Sequence, residues 1–290
     1  MIRNIAAAIL AAVLTAGAAQ AASGERDLDR DGLQGPVESV TIKRTESRRD
    51  ESGQLIEGDL VPVAEVLYNE AGDRTRIRQF NLQGDVYYER RLAYDDQGRL
   101  VSETIEHAEG EKSGTWTYEH TPEGITGTFA PSGGGEGETR YMVEDEAGHI
   151  VDDRKVDPYG EEYYRIEAKY ENGNMVETRR TEVGQYEGRV ERRYDDQGRV
   201  IEEKRFDSFD RPYSLTTMKY NDHGAVSHLE EYRWVGADQE QALFNDMRYT
   251  YRFDDHGNWV HRIDDVTYRA ERGKMREGVE TAIREIEYRE

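Results

Sequence analysis

The sequence contains no cysteine. Neither a disulfide bridge nor the lipid-modified cysteine of a bacterial lipoprotein is therefore available, and stability has to come from packing and hydrogen bonds. Aliphatic residues are scarce as well. Leu, Ile, Val and Phe make up 53 of 290 residues, below the ~20% under which a highly charged chain is suspected of disorder. Positive charge is in deficit: 39 Lys and Arg stand against 61 Asp and Glu, a net charge of −22. That balance argues against nucleic acid or an anionic membrane as a partner. After residue 21 no apolar run approaches the roughly 18 residues that a membrane-spanning helix needs.

The first 21 residues read as a secretory signal peptide. Arg3 precedes an apolar run over residues 5–16, and Ala19-Gln20-Ala21 supplies a small-x-small cleavage site. The mature chain is expected to be periplasmic or extracellular, with no integral membrane segment. Against the shortage of aliphatics stand 19 tyrosines, which favour strands and bury a large ring while keeping the hydroxyl near water.

The tyrosines recur with a period. Tyr94-Asp95-Asp96-Gln97-Gly98 and Tyr194-Asp195-Asp196-Gln197-Gly198 are identical units, and Tyr68-Asn69-Glu70-Ala71-Gly72 and Phe80-Asn81-Leu82-Gln83-Gly84 are variants. Asp-x-x-Gly suits a type I turn, with the carboxylate bonding backbone amides and glycine closing at positive φ. Between turns, Val86, Tyr88, Leu92 and Tyr94 share one face, while Tyr87, Glu89 and Arg91 share the other. Tyr164, Ile166, Ala168 and Tyr170 repeat the alternation, as do Met247, Tyr249, Tyr251 and Phe253. Each period is one strand plus one turn, and turns this short join antiparallel neighbours.

The expected fold is all-β: a long antiparallel meander of repeated hairpins, about sixteen strands, in one curved or partly wrapped sheet. Three segments are assigned: residues 1–21 as signal peptide, residues 22–35 as a flexible acidic lead-in, and residues 36–290 as a single repeat domain. The period fails at a glycine loop over residues 132–137 and at an insertion over residues 235–245, expected as a short helix.

Tyr-Asp-x-x-Gly-Arg followed by Leu100 or Val200, with Phe-Asp-x-x-Gly-Asn at residues 253–258, resembles the RHS or YD repeat family over about residues 60–262. A weaker similarity to MORN-type repeats rests on Tyr170-Glu171-Asn172-Gly173-Asn174. The RHS resemblance implies antiparallel sheets, which wrap into a hollow shell around a toxic domain in the large members. This chain is too short for such a shell and resembles the small secreted members.

Asp27, Asp29, Asp31 and Glu38 satisfy the spacing D-x-D-x-D-G-x5-E of a calcium loop. They lack its flanking helices, and Pro36 and a strand-like run follow. Calcium is therefore the one candidate cofactor. The paired aspartates at 95 and 96, 195 and 196, and 254 and 255 recur with the turn, as turn residues do and a catalytic pair does not. His223 with His228, and His256 with His261, are five apart and point to opposite faces of a strand. No nucleophile elbow or phosphate loop is present, so no enzyme is expected. Trp116, Trp234 and Trp259 interrupt the tyrosine rhythm and are the candidate ligand-contact aromatics.

The function expected from these features is a non-enzymatic periplasmic or extracellular binding module with a protein or glycan partner in the envelope. The alternatives are a carbohydrate-binding module using an aromatic sheet face, or a neutralising partner of a secreted toxin.

Overall fold

The computed structural model describes residues 26–108, 113–235, 240–270 and 273–290. The signal peptide and the first residues of the lead-in lie outside them. Among these residues a one-turn helix, α1 (Asp27–Arg30), precedes nineteen strands. These are β1 (Val37–Arg49), β2 (Leu55–Glu57), β3 (Val61–Tyr68), β4 (Arg74–Phe80), β5 (Val86–Tyr94), β6 (Leu100–His107) and β7 (Gly114–Thr121). There follow β8 (Gly124–Pro131), β9 (Thr139–Glu144), β10 (Ile150–Val156), β11 (Glu162–Glu171), β12 (Asn174–Glu182) and β13 (Gln185–Tyr194). The last are β14 (Val200–Phe206), β15 (Pro212–Tyr220), β16 (Val226–Val235), β17 (Glu240–Phe253), β18 (Trp259–Arg269) and β19 (Met275–Tyr288).

From β3 to β19 each strand pairs antiparallel with the next, as the short turns require. The sheet does not stay open. β1 inserts between the two ends of the meander, pairing with β19 from Val37 to Ser47 and with β3 from Ser39 to Arg44. The curved or partly wrapped sheet is thereby corrected to a closed barrel of 18 strands, with β2 a short appendage on the far end of β1. Closure satisfies two rows of backbone groups that an open sheet would leave unpaired. The 235–245 insertion is also corrected: it lengthens the β16–β17 hairpin, with Val235 paired to Glu240, and its described residues hold no helix.

The turns form as their chemistry dictates. Asp95 Oδ1 accepts from the amides of Gln97 and Arg99, both at 2.9 Å, and Asp195, Asp207 and Asp254 repeat the arrangement. Asn69, Asn81 and Asn221 do the same through their side-chain oxygens, so the position is occupied by whatever residue closes the turn. All the hairpins of this kind gather at the two rims of the barrel.

The tyrosine face is the inner one. Ile77 and Arg90 are partners across β4 and β5, which places Tyr88, Arg90, Leu92 and Tyr94 inside and Glu89 and Arg91 outside. Buried clusters form around Val37, Val66 and Ile77, around Trp116, Tyr118 and Met142, and around Met247, Tyr249 and Val266. Ion pairs line both faces. Outside stand Arg78–Glu89, Arg91–Glu106, Arg165–Asp152 and Arg193–Glu202. Inside stand Arg90–Glu103, Arg140–Asp153 and Arg192–Glu203.

Candidate functional site

Residues 26–35 were expected as a flexible lead-in, and they are instead folded into one rim of the barrel. Leu28 and Leu33 are buried against Val37, Val66 and Tyr68, and the Leu28 amide donates to the Gly72 carbonyl at 3.0 Å. Removing each leucine side chain from water is worth about 1.5–3 kcal/mol, which offsets the cost of ordering the segment. Asp31 is buried, pairs with Arg74 and accepts from the Tyr68 hydroxyl at 2.5 Å. Burial, and then that carboxylate, push the Tyr68 hydroxyl well above its ordinary pKa.

This arrangement disperses the calcium-spaced residues. Asp27 pairs with Arg30, Asp29 with Arg26 and Asp31 with Arg74, while Glu38 is exposed on β1. The three aspartates that an ion would need are each turned to a different arginine. The group among the described residues whose ligand atoms do converge is His228, Glu230 and Asp246, on the outer wall; His228 Nε2 already sits 2.9 Å from Asp246, and Arg248 lies 3.4 Å from the same carboxylate.

Behind the folded lead-in lies a cavity of about 500 Å³. It is bounded by the segment from Asp29 to Gln34, by the β17–β18 turn with Gly257 that adjoins this segment, and by the β15–β16 turn with His223. Its walls carry Tyr68, Tyr249, Tyr251, Phe253 and Trp259 together with Arg44, Arg262 and Arg284. Strand alternation puts Tyr249, Tyr251 and Phe253 there in one row. His223 stacks on Phe253 at 4.0 Å between ring centres. Burial pushes the Tyr251 hydroxyl up to about 12, so the tyrosines are neutral donors. A second hollow, about 640 Å³ around Arg48, Arg49, Asp246 and Asp265, has no aromatic residue in its lining.

The charge in the first cavity is unbalanced. Ala282 of β19 stands opposite Arg44 of β1 and Arg262 of β18, and Arg284 is the next inward residue. Arg262 is bonded to Asp264 at 2.6 Å, and Arg44 approaches Glu280 only to 4.0 Å. Burial pushes the Glu280 carboxyl up and the Arg44 guanidinium down, the latter also through Arg262. The two carboxylates in the lining, Asp29 and Asp31, are bonded to Arg26 and Arg74. Arg284 forms no hydrogen bond or ion pair among the described residues. Its partner is the face of Trp259, 4.1 Å from the guanidinium carbon, a contact worth about 2 kcal/mol when desolvated. Burial pushes Arg284 down to about 10, so it is charged at neutral pH. It lies deep in the barrel yet retains some surface, because it faces the cavity.

Of the three flagged tryptophans, Trp259 lines this cavity, Trp116 is buried against Phe129 and Tyr118, and Trp234 is half-buried on the outer wall beside Lys204. The three share no surface. The cavity arginines escaped the sequence reading, which treated arginine as an outer-face residue. Their signal was phase: Arg284 alternates with Ala282, Ile286 and Tyr288, and Arg262 pairs with Tyr251.

No family model matches the chain, and no curated protein does. Among solved structures, similarity is found to a porin-like protein from Bacteroides uniformis, at 15% identity over 88% of this chain and 98% of that one, with a TM-score of 0.41. A porin-like protein from Bacteroides vulgatus gives 12% identity over 87% and 98%, with a TM-score of 0.36. The Photorhabdus luminescens Tc holotoxin pore gives 13% identity over 79% of this chain and 14% of that one, with a TM-score of 0.35.

Proposed function

We propose that this chain is an exported, non-enzymatic binding protein of RHS/YD-like type, whose barrel stands in water and takes a small ligand in the cavity behind residues 29–34. The observation that carries this reading is the cavity itself: about 500 Å³, lined by a row of aromatic rings and a few polar groups, as small-molecule sites are. The signal-like N-terminus supports a periplasmic or extracellular location. The outer wall supports an aqueous one, since a lipid-facing barrel presents an apolar band and this wall presents Arg78, Glu89, Arg91, Arg165 and Arg193. No helix among the described residues is long and apolar enough to cross a membrane.

The test is a thermal-shift and tryptophan-fluorescence screen of the chain from residue 22 against small aromatic, aliphatic and sugar compounds, repeated with Phe253→Ala. A hit that raises Tm, changes emission and is weakened in the variant supports the reading. Hits unaffected by Phe253→Ala, or no hit beside an empty native mass spectrum, count against it.

A further inference from the structure

We propose that the Arg284 corner of the cavity binds the carboxylate of a small planar aromatic acid, an inference that rests on the cavity being the ligand site. Three guanidinium groups, Arg44, Arg262 and Arg284, project from adjacent strands into one wall. Two carboxylates, Asp264 and Glu280, answer them; Glu46, opposite Glu280, is exposed and outside the lining. One cation is left over. A buried charge without a counter-charge is costly, and an anion in the cavity removes that cost. The Nε of Arg284 is sealed from solvent without a partner, its guanidinium forms no hydrogen bond or ion pair among the described residues, and the residue lines the cavity. A guanidinium presents a fork that matches a carboxylate.

The rest of the wall selects shape. Trp259 lies under Arg284 at 4.1 Å and within 5.3 Å of Arg262, so the ring holds the guanidinium plane in place. Tyr251 stands 6.1 Å from Trp259 and 5.7 Å from Phe253, which continues an aromatic row away from the cation. A ligand with its anion on Arg284 lays its body along that row, and a flat ring fits it best.

The experiment is calorimetry on the chain from residue 22 with 2-naphthoate and its neutral counterpart 2-naphthamide. Naphthoate is expected to bind at least about ten-fold more tightly, the value of a charged hydrogen-bonded contact. In Arg284→Met that ratio is expected to fall to near one, with an unchanged circular dichroism spectrum and a Tm no lower than that of the parent. Arg284→Lys, which keeps the charge and loses the fork, is expected to fall between them and serves if the Met variant does not fold. Equal affinity for both compounds in the parent overturns the anion site and leaves the cavity standing. A preference for naphthoate that survives in both variants overturns the assignment to Arg284. Binding of neither compound overturns this proposal, and the screen above then decides the fate of the cavity reading.

Discussion

Asn258 and Gln34, 224 residues apart, clasp each other through two hydrogen bonds: the Gln34 amide donates to Asn258 Oδ1 at 2.7 Å, and Asn258 Nδ2 donates to the Gln34 carbonyl at 2.8 Å. Asn258 is fully buried and also donates to the Tyr288 hydroxyl at 2.8 Å. The clasp fixes the lead-in to the β17–β18 turn at the edge of the cavity. Asn258→Ala removes all three bonds and is expected to cost about 3 kcal/mol, at roughly 1 kcal/mol each. Hydrogen exchange at the Gln34 amide reads it directly: exchange should rise by more than the global loss of stability requires, and a uniform rise across the barrel would show that the clasp is not local.

The Asp31–Arg74 pair makes the second anchor, buried and joined by Tyr68. Breaking such a pair leaves a charge without a partner, so Asp31→Ala is expected to cost about 3–5 kcal/mol. The double variant Asp31→Leu with Arg74→Met should recover most of that, because it removes both charges and keeps the volume. Denaturant titration of the parent, Asp31→Leu, Arg74→Met and the double variant decides it. Additive losses would show that the two residues act independently.

The strands were legible because their period is local. Asp95 and Gly98 announce a turn by their own backbone chemistry, and Tyr88, Leu92 and Tyr94 announce a face by spacing alone. Closure was not legible, since nothing within β1 says that residues 39–44 will have β3 on one edge and β19 on the other. The arginines of the cavity were hidden for a related reason. Which face is inside becomes defined only once the sheet closes, and then inward charges are tolerated because they find partners across strands, as Arg90 does in Glu103. One deviation did mark the site. Where other repeats have Arg99, Arg199 or Arg211, each bonded to the aspartate of its own turn, the copy at 253–258 has Asn258, freed to hold the lead-in.

Acid should loosen the barrel through its turns. Bonds from Arg99, Arg199 and Arg211 hold Asp95, Asp195 and Asp207 below the usual carboxylate range. Burial pushes Asp254 up, but the Tyr288 hydroxyl and two backbone amides outweigh it and leave it lowered. A carboxyl lowered by folding contributes stability that is complete above its unfolded pKa, near 3.9, and is lost as pH falls through the folded value. Tm is therefore expected to be flat from pH 7 to about 5 as far as these groups go, and to drop below about 4. The variant Asp195→Asn with Asp207→Asn should show a shallower drop over the acid limb. An acid limb of unchanged steepness would place the titrating groups elsewhere.

Gly127 of β8 lies beneath the ring of Tyr118, its partner on β7. A Cβ built on it would sit 2.8 Å from Tyr118 Cε1 and 3.2 Å from Trp116 Cε3, closer than packed carbons tolerate. Trp116 and Tyr118 are stacked at 6.2 Å and both buried, so neither ring can swing out without opening that cluster. Alanine usually gains over glycine in a strand because it loses less backbone entropy, and here that gain opposes the overlap. The overlap should win: Gly127→Ala is expected to cost about 1–3 kcal/mol, the range for overpacking a filled core. Gly133, in the β8–β9 turn, has open space where its Cβ would go, so Gly133→Ala is the control and should leave the denaturant midpoint within error. Equal midpoints for the two variants would mean that Tyr118 moves aside freely and that the cluster is not close-packed at Gly127.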